Sequence, residues 1–153
     1  MKVTYIDLIR DSHLLSQKIT KSYDFVFGIP SGGIIVAFII SQQIKAQMMS
    51  VEDILNYKGD KTKILVVDDL VDSGTTLARY PGYDTAVLYK KPHSPTPTYY
   101  LQDIPLEWVL FPHEKDQIGI EEHMIRILEH FNLTPDRQEI SKLSTLLNFV
   151  YKK

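Results

Sequence analysis

The sequence has no cysteine, which removes disulfides, thiolate metal sites and a cysteine nucleophile together and fits a reducing compartment. It also lacks a charge bias: 17 lysines and arginines stand against 19 aspartates and glutamates, for a formal net charge of -2. The basic residues are spread along the chain, so composition carries no footprint of nucleic-acid or membrane binding, and a small anionic ligand would need local attraction. Long apolar runs are missing as well. The longest, Ile34 to Ile40, falls far short of the roughly 20 residues of a membrane span. The charged start MKVTYIDLIRDSH has no apolar core of the kind a signal peptide needs. A cytoplasmic protein is expected, with neither nucleic acid nor membrane as partner.

The chain has 153 residues, 44% hydrophobic and 24% charged, which suits one globular core. From Asp7 to Ser22 the apolar residues Leu8, Ile9, Leu14, Leu15 and Ile19 recur at helical steps. Asp24 to Phe27 reads as a short buried strand that runs into GIPSGG (28–33), and Ile34 to Ile44 reads as a second helix. Strand, glycine-rich turn and helix make the half-unit of an α/β sheet. Ser50 to Tyr57 is expected as a strand and Lys58 to Thr62 as a turn. Ile64 to Val67 is an aliphatic run suited to a central parallel strand buried on both faces, and it ends in Asp68-Asp69. A short helix from Thr75 to Arg79, a turn at Pro81-Gly82 and a strand from Thr85 to Leu88 follow. The three prolines between Lys91 and Thr98 require a loop, after which Tyr99 to Leu101 and Trp108 to Phe111 can supply strands. Beyond Pro112, helices are expected over Ile120 to Phe131 and from Thr134-Pro135 to Val150.

The stretch ILVVDDLVDSGTT (64–76) carries the most chemistry. A buried strand delivers Asp68 and Asp69 to its C-terminal edge, where open α/β sheets bind ligands. Ser73, Gly74, Thr75 and Thr76 then offer hydroxyls and consecutive backbone N–H groups at a helix start, a setting that suits a phosphate. Carboxylates beside an anion site make sense if they accept hydrogen bonds from sugar hydroxyls or hold the water shell of a metal.

VVDDLVDSGTT resembles the phosphoribosyl pyrophosphate (PRPP) signature of type I phosphoribosyltransferases. The resemblance covers about residues 1 to 116 and implies a three-layer α/β fold with a central, mainly parallel sheet and a small hood over the base. It implies that Asp68 and Asp69 bind ribose hydroxyls and, through water, Mg²⁺, and that Ser73, Gly74, Thr75 and Thr76 cradle the 5′-phosphate. Asp72 falls where the family places an acid near the purine N7; it would exchange a proton with the base or stabilise the positive charge on it, and as a plain structural residue it would cap the following helix. GIPSGG sits at the family's pyrophosphate loop, with Ser31 in place of the usual arginine. The backbone amides of Ser31, Gly32 and Gly33 remain as donors without a guanidinium's bidentate charge, and the glycine pair on its own is also what a tight turn needs. YKKPH (89–93) and PTYYLQDIPLEWVLFPHEK (97–115) resemble the hood of bacterial and archaeal hypoxanthine, guanine and xanthine phosphoribosyltransferases. The matching base-binding residues are Lys91, which would donate to the purine O6, Trp108, which would stack on the base, and Val109, whose backbone would read its edge. Lys90 competes with Lys91 for the first role, and Trp108 would serve equally as a core or interface residue.

The resemblance thus implies a purine phosphoribosyltransferase that uses PRPP and Mg²⁺, with residues 1–116 as its domain and 117–153 as a helical appendix packed on it. The lid between NYKG and the acidic strand is clipped to Lys58 to Lys63, so a homo-oligomer is expected, a partner subunit covering the site. A PRPP- or nucleotide-binding regulator without turnover and a pyrimidine phosphoribosyltransferase remain open as alternatives. His93, His113, His123 and His130 show no metal-ligand spacing, and the mixed charges of the C-terminal segment favour packing over DNA binding.

Overall fold

The computed structural model describes residues 1–107 and 109–114. The first helix, α1 (Tyr5–Lys18), begins at a capping box in which Thr4 and Asp7 satisfy each other's backbone N–H groups. Its Leu8 and Leu15 are fully buried. Strand β1 (Phe25–Gly28) leads into α2 (Gly32–Ile44), and every residue of α2 from Gly32 to Ser41 is buried. A helix apolar on all sides needs cover on all sides. α2 obtains it by lying against α1, β1 and β3 (Ile64–Val71) together.

The remaining elements are β2 (Gln47–Met49), α3 (Val51–Asn56), β4 (Asp84–Lys90) and β5 (Tyr99–Asp103). All strand pairs are parallel, and the sheet order is β2-β1-β3-β4-β5. The chain therefore moves outward from β1 to β2 and then returns to the other side of β1 with β3. In open parallel sheets the crevice for a ligand opens at such a reversal, beyond the carboxyl ends of the strands. Gly28 pairs with Val67, so the loops after β1 and β3 leave the sheet side by side.

Both faces of β3 are covered. Leu65 and Val67 join a core with Leu8, Val36 and Ile40, while Ile64 and Val66 join another with Phe27, Ile29 and Ile54. This alternation is the period of a strand, and burial on both sides explains its unbroken aliphatic sequence. Lys18 reaches across to the edge strand β5, where Nζ donates to the carbonyls of Tyr100 at 3.2 Å and Leu101 at 2.9 Å.

Three local expectations change. Residues 50–57 hold a helix, because Ser50 and Asp53 form a capping box that starts α3; the strand sits just before, at β2. The expected helix from Thr75 is a single 3-10 turn, Leu77–Arg79, since the few residues before Pro81-Gly82 cannot propagate an α-helix. Of the strand expected at 108–111, the described residues 109–111 contribute one parallel bridge, between Lys2 and Leu110. The domain boundary at 116 and the C-terminal helices lie outside the described residues. Among the described residues no helix is long and apolar enough to cross a membrane.

One polar pair crosses the core. The buried Tyr89 hydroxyl of β4 donates to Asp11 of α1, whose other oxygen takes Arg10 Nε at 2.8 Å. Burial, then the bond to Asp11, pushes the Tyr89 phenol above its ordinary pKa. Tyr89→Phe strips the donor from a buried carboxylate, which should cost about 1–3 kcal/mol of stability. Urea unfolding should show a lower midpoint at an unchanged slope; an unaltered midpoint would mean that the pair adds nothing.

Candidate active site

The loop after β1 is pinned to β3 by Ile29 N donating to Val67 O at 2.8 Å. The Pro30–Ser31 peptide is cis, and Ser31 stands at the start of α2 without a side-chain capping bond. A Cβ on Gly32 would lie 2.1 Å from Asp69 Oδ2, and one on Gly33 would lie 2.3 Å from Val67 O. At Gly33 the obstacle is backbone and no side chain fits; at Gly32 a side chain would have to displace the Asp69 carboxyl, so close packing of α2 on the end of β3 accounts for the glycine pair.

Strand β3 does not stop at the two acids but carries on through them to Val71. Asp68 and Asp69 are consequently buried, at 8% and 9% exposure. Burial pushes both carboxyls up, the neighbouring Asp69 charge adds to the effect at Asp68, and His113 offsets part of it at Asp69. His113 Nε2 is 3.4 Å from Asp69 Oδ2, and its ring stacks on Phe111 at 5.4 Å. Adjacent desolvated carboxylates call for hydroxyl donors or a cation, and their hard oxygens suit Mg²⁺. No group of three or more His, Cys, Asp or Glu side chains placed to hold a metal ion occurs among the described residues. A cation here would complete its shell with water and the oxygens of a ligand.

The loop after β3 and the loop after β4 pack together. Gly74 has φ +82°, and a Cβ on it would meet the Pro95 ring at 2.5 Å; both facts demand glycine. Ser73 and Thr75 share a hydroxyl contact of 2.9 Å, and Thr75 N donates to Ser73 Oγ at 3.3 Å. Asp72 is not a helix cap. One oxygen takes Lys91 Nζ at 3.0 Å and the other His93 Nε2 at 2.9 Å. The bond from Lys91 first, with a smaller contribution from His93, holds Asp72 below the usual carboxylate pKa.

The two lysines separate as neighbours at a strand end should. Both are buried, but Lys90 Nζ pairs with Asp103 at 3.0 Å, whereas Lys91 binds Asp72 and donates to Leu106 O at 3.3 Å. A cavity of about 310 Å³ collects Ser31, Gly32, Asp68, Asp69, Asp72, Thr76, Lys91 and Val109 from the sequence-derived set. Gly33, Ser73, Gly74 and Thr75 are not part of its lining, and Trp108 lies outside the described residues. Phe111 and His113 also line it. The spacing of His93 and His113 along the chain carries no metal-ligand signal, yet each touches one of the acids. The apolar Val109 and Phe111 just before it, both buried, were the available signal that His113 faces inward, although it sits in the 3-10 turn Pro112–Glu114.

No family model matches the chain. The xanthine-guanine phosphoribosyltransferase of Gluconobacter oxydans is 30% identical over 138 residues, which cover 72% of this chain and 82% of that protein. That of Cereibacter sphaeroides is 28% identical over 140 residues, 72% of this chain and 84% of the relative. In fold, the chain is similar to the Helicobacter pylori xanthine-guanine-hypoxanthine phosphoribosyltransferase, with a TM-score of 0.62 at 22% identity, over 80% of this chain and 97% of the other.

The Asp72–Lys91 pair has a measurable signature. A carboxyl whose pKa is lowered keeps its interaction above the ordinary carboxylate range and loses it only as pH falls through the lowered value. In Lys91→Met the largest lowering influence is gone, so ¹³C titration should find the Asp72 carboxyl moved up toward its usual value. An unmoved titration would show that the ion pair does not form in solution.

Proposed function

The chain belongs to the type I phosphoribosyltransferase family and is a purine phosphoribosyltransferase, and on that footing we propose that it transfers the 5-phosphoribosyl group of PRPP to a 6-oxopurine. The products would be a nucleoside monophosphate and pyrophosphate. The observation that carries this reading is one cavity with two desolvated carboxylates, Asp68 and Asp69, and a buried lysine ammonium, Lys91, among its lining residues.

In this reading the backbone amides and hydroxyls of Ser73, Gly74, Thr75 and Thr76 take the 5′-phosphate. Asp68 and Asp69 accept from the ribose hydroxyls, which satisfies oxygens that burial otherwise leaves poorly solvated. The same two residues would hold Mg²⁺ through water; when bound, the ion supplies charge neutralisation on the departing pyrophosphate. The amides of Ser31, Gly32 and Gly33 receive pyrophosphate oxygens. Lys91 spends two of its three donors on Asp72 and Leu106 O, and the third is available for the base. An ammonium donates to an exocyclic carbonyl and cannot accept from an amino group, so O6 of guanine, xanthine or hypoxanthine fits and the 6-amino group of adenine does not. By the family resemblance Trp108 would stack on the ring, and the backbone of Val109 would read its edge.

Asp72 is the catalytic residue. A carboxylate held below its usual pKa is a weak proton acceptor, so its contribution is to stabilise positive charge as that develops on the base during glycosidic bond formation. Bond-making then depends on orientation: ribose carbon, base nitrogen and Asp72 are held in place while the bond from C1′ to the pyrophosphate oxygen breaks, the new C–N bond forms and the base's ring proton passes to water.

Purified protein with Mg²⁺, PRPP and a panel of bases should form nucleotide from guanine, xanthine or hypoxanthine and none from adenine, uracil or orotate. Asp72→Asn should lower kcat by about 10²–10³-fold, the cost of one lost electrostatic stabiliser, with the KM for PRPP nearly unchanged. Preferred use of uracil or orotate would overturn the purine assignment. Normal turnover by Asp72→Asn would remove Asp72 from the mechanism.

A further inference from the structure

The loop that delivers Lys91 also delivers His93, and its geometry is stiff. Lys91 N donates to Val71 O at 3.1 Å, which ties the loops after β3 and β4 together. Lys91 to Ser94 then close a turn in which Ser94 N and Oγ both donate to Lys91 O, at 3.0 and 2.7 Å. Pro92 occupies the second position of that turn, where its fixed φ is favoured. The Pro95 ring packs where a side chain at Gly74 would stand. First and third residues of one rigid turn thus meet the two oxygens of a single carboxylate, Lys91 on Asp72 Oδ2 and His93 on Asp72 Oδ1.

The last torsion of an aspartate is broad and nearly two-fold. A carboxylate anchored at one oxygen swings about it; anchored at both, it keeps one orientation. His93 does not line the cavity and is 52% exposed, whereas Lys91 does line it and is 7% exposed. We propose that His93 is a positioning residue, which fixes the rotation of Asp72 so that its charge meets the base in the productive geometry. This inference rests on the role given to Asp72 above.

The test is a double-mutant cycle on the full chain, with guanine and PRPP as substrates. His93→Ala should lower kcat by about tenfold, as expected for a misoriented catalytic group, and leave the KM for PRPP within about twofold. Gln places an N–H donor near the position of Nε2, so His93→Gln should recover most of the loss. In an Asp72→Ala background, His93→Ala should have no further effect, because its only route to the reaction has been removed. His93 is half exposed, so the variants should unfold at the wild-type temperature. The inference alone falls if Asp72→Ala is impaired and His93→Ala is not, if the His93 loss persists unchanged in the Asp72→Ala background, or if Gln rescues no better than Ala. A wild type without transfer activity, or Asp72→Ala at wild-type kcat, overturns the reading of Asp72 together with it.

Discussion

The start of α2 and the end of β3 approach so closely that a methyl group on Gly32 or Gly33 would overlap Asp69 or the Val67 carbonyl. That contact sets where the acids of β3 stand relative to the loop after β1. It brings the first turn of an apolar helix against the strand that carries the acids, at the point where the sheet order reverses. It also encloses the two carboxylates, because a helix seated on the strand end keeps water from one side of them. Moving α2 outward by the width of one side chain would open the cavity floor and rehydrate both acids.

Three aspartates within five residues of chain, 68, 69 and 72, end in opposed electrostatic settings. Asp68 and Asp69 are held in a dry strand end, where burial works against charge. Asp72, one step beyond the strand, is half exposed and takes hydrogen bonds from Lys91 and His93, which favour its charge. The environments drive the groups apart, as different tasks require. The dry pair gains from a ligand that brings hydroxyls or a cation, while the third acid keeps a fixed charge with or without a ligand.

The sequence conveyed best what is local or strongly periodic. The aliphatic run of β3, the all-apolar α2 and the acidic stretch at the end of β3 are each visible, because burial on both faces and glycine at close approaches leave direct marks on residue choice. At 50–57 the apolar pattern suggested a strand, while the decisive signal was the reciprocal bonding of Ser50 and Asp53. At 75–79 helix formers were present without the length needed to propagate. The histidines were hidden for another reason: His93 lies 21 residues from Asp72, and no spacing rule along the chain reports a contact made by two loops of adjacent strands. Lys91 could be separated from Lys90 only once the strand end assigned them to different sides.

The outer strands are protected in different ways. β2 is three residues long, too short to template much pairing, and the β5 carbonyls of Tyr100 and Leu101 already accept from Lys18. Unpaired edge groups are what let a passing peptide add itself to a sheet, and short strands and lysines are common ways of denying them. Among the described residues, edges of this kind discourage edge-to-edge aggregation when the chain is crowded and favour contacts through surface side chains over continuation of the backbone ladder.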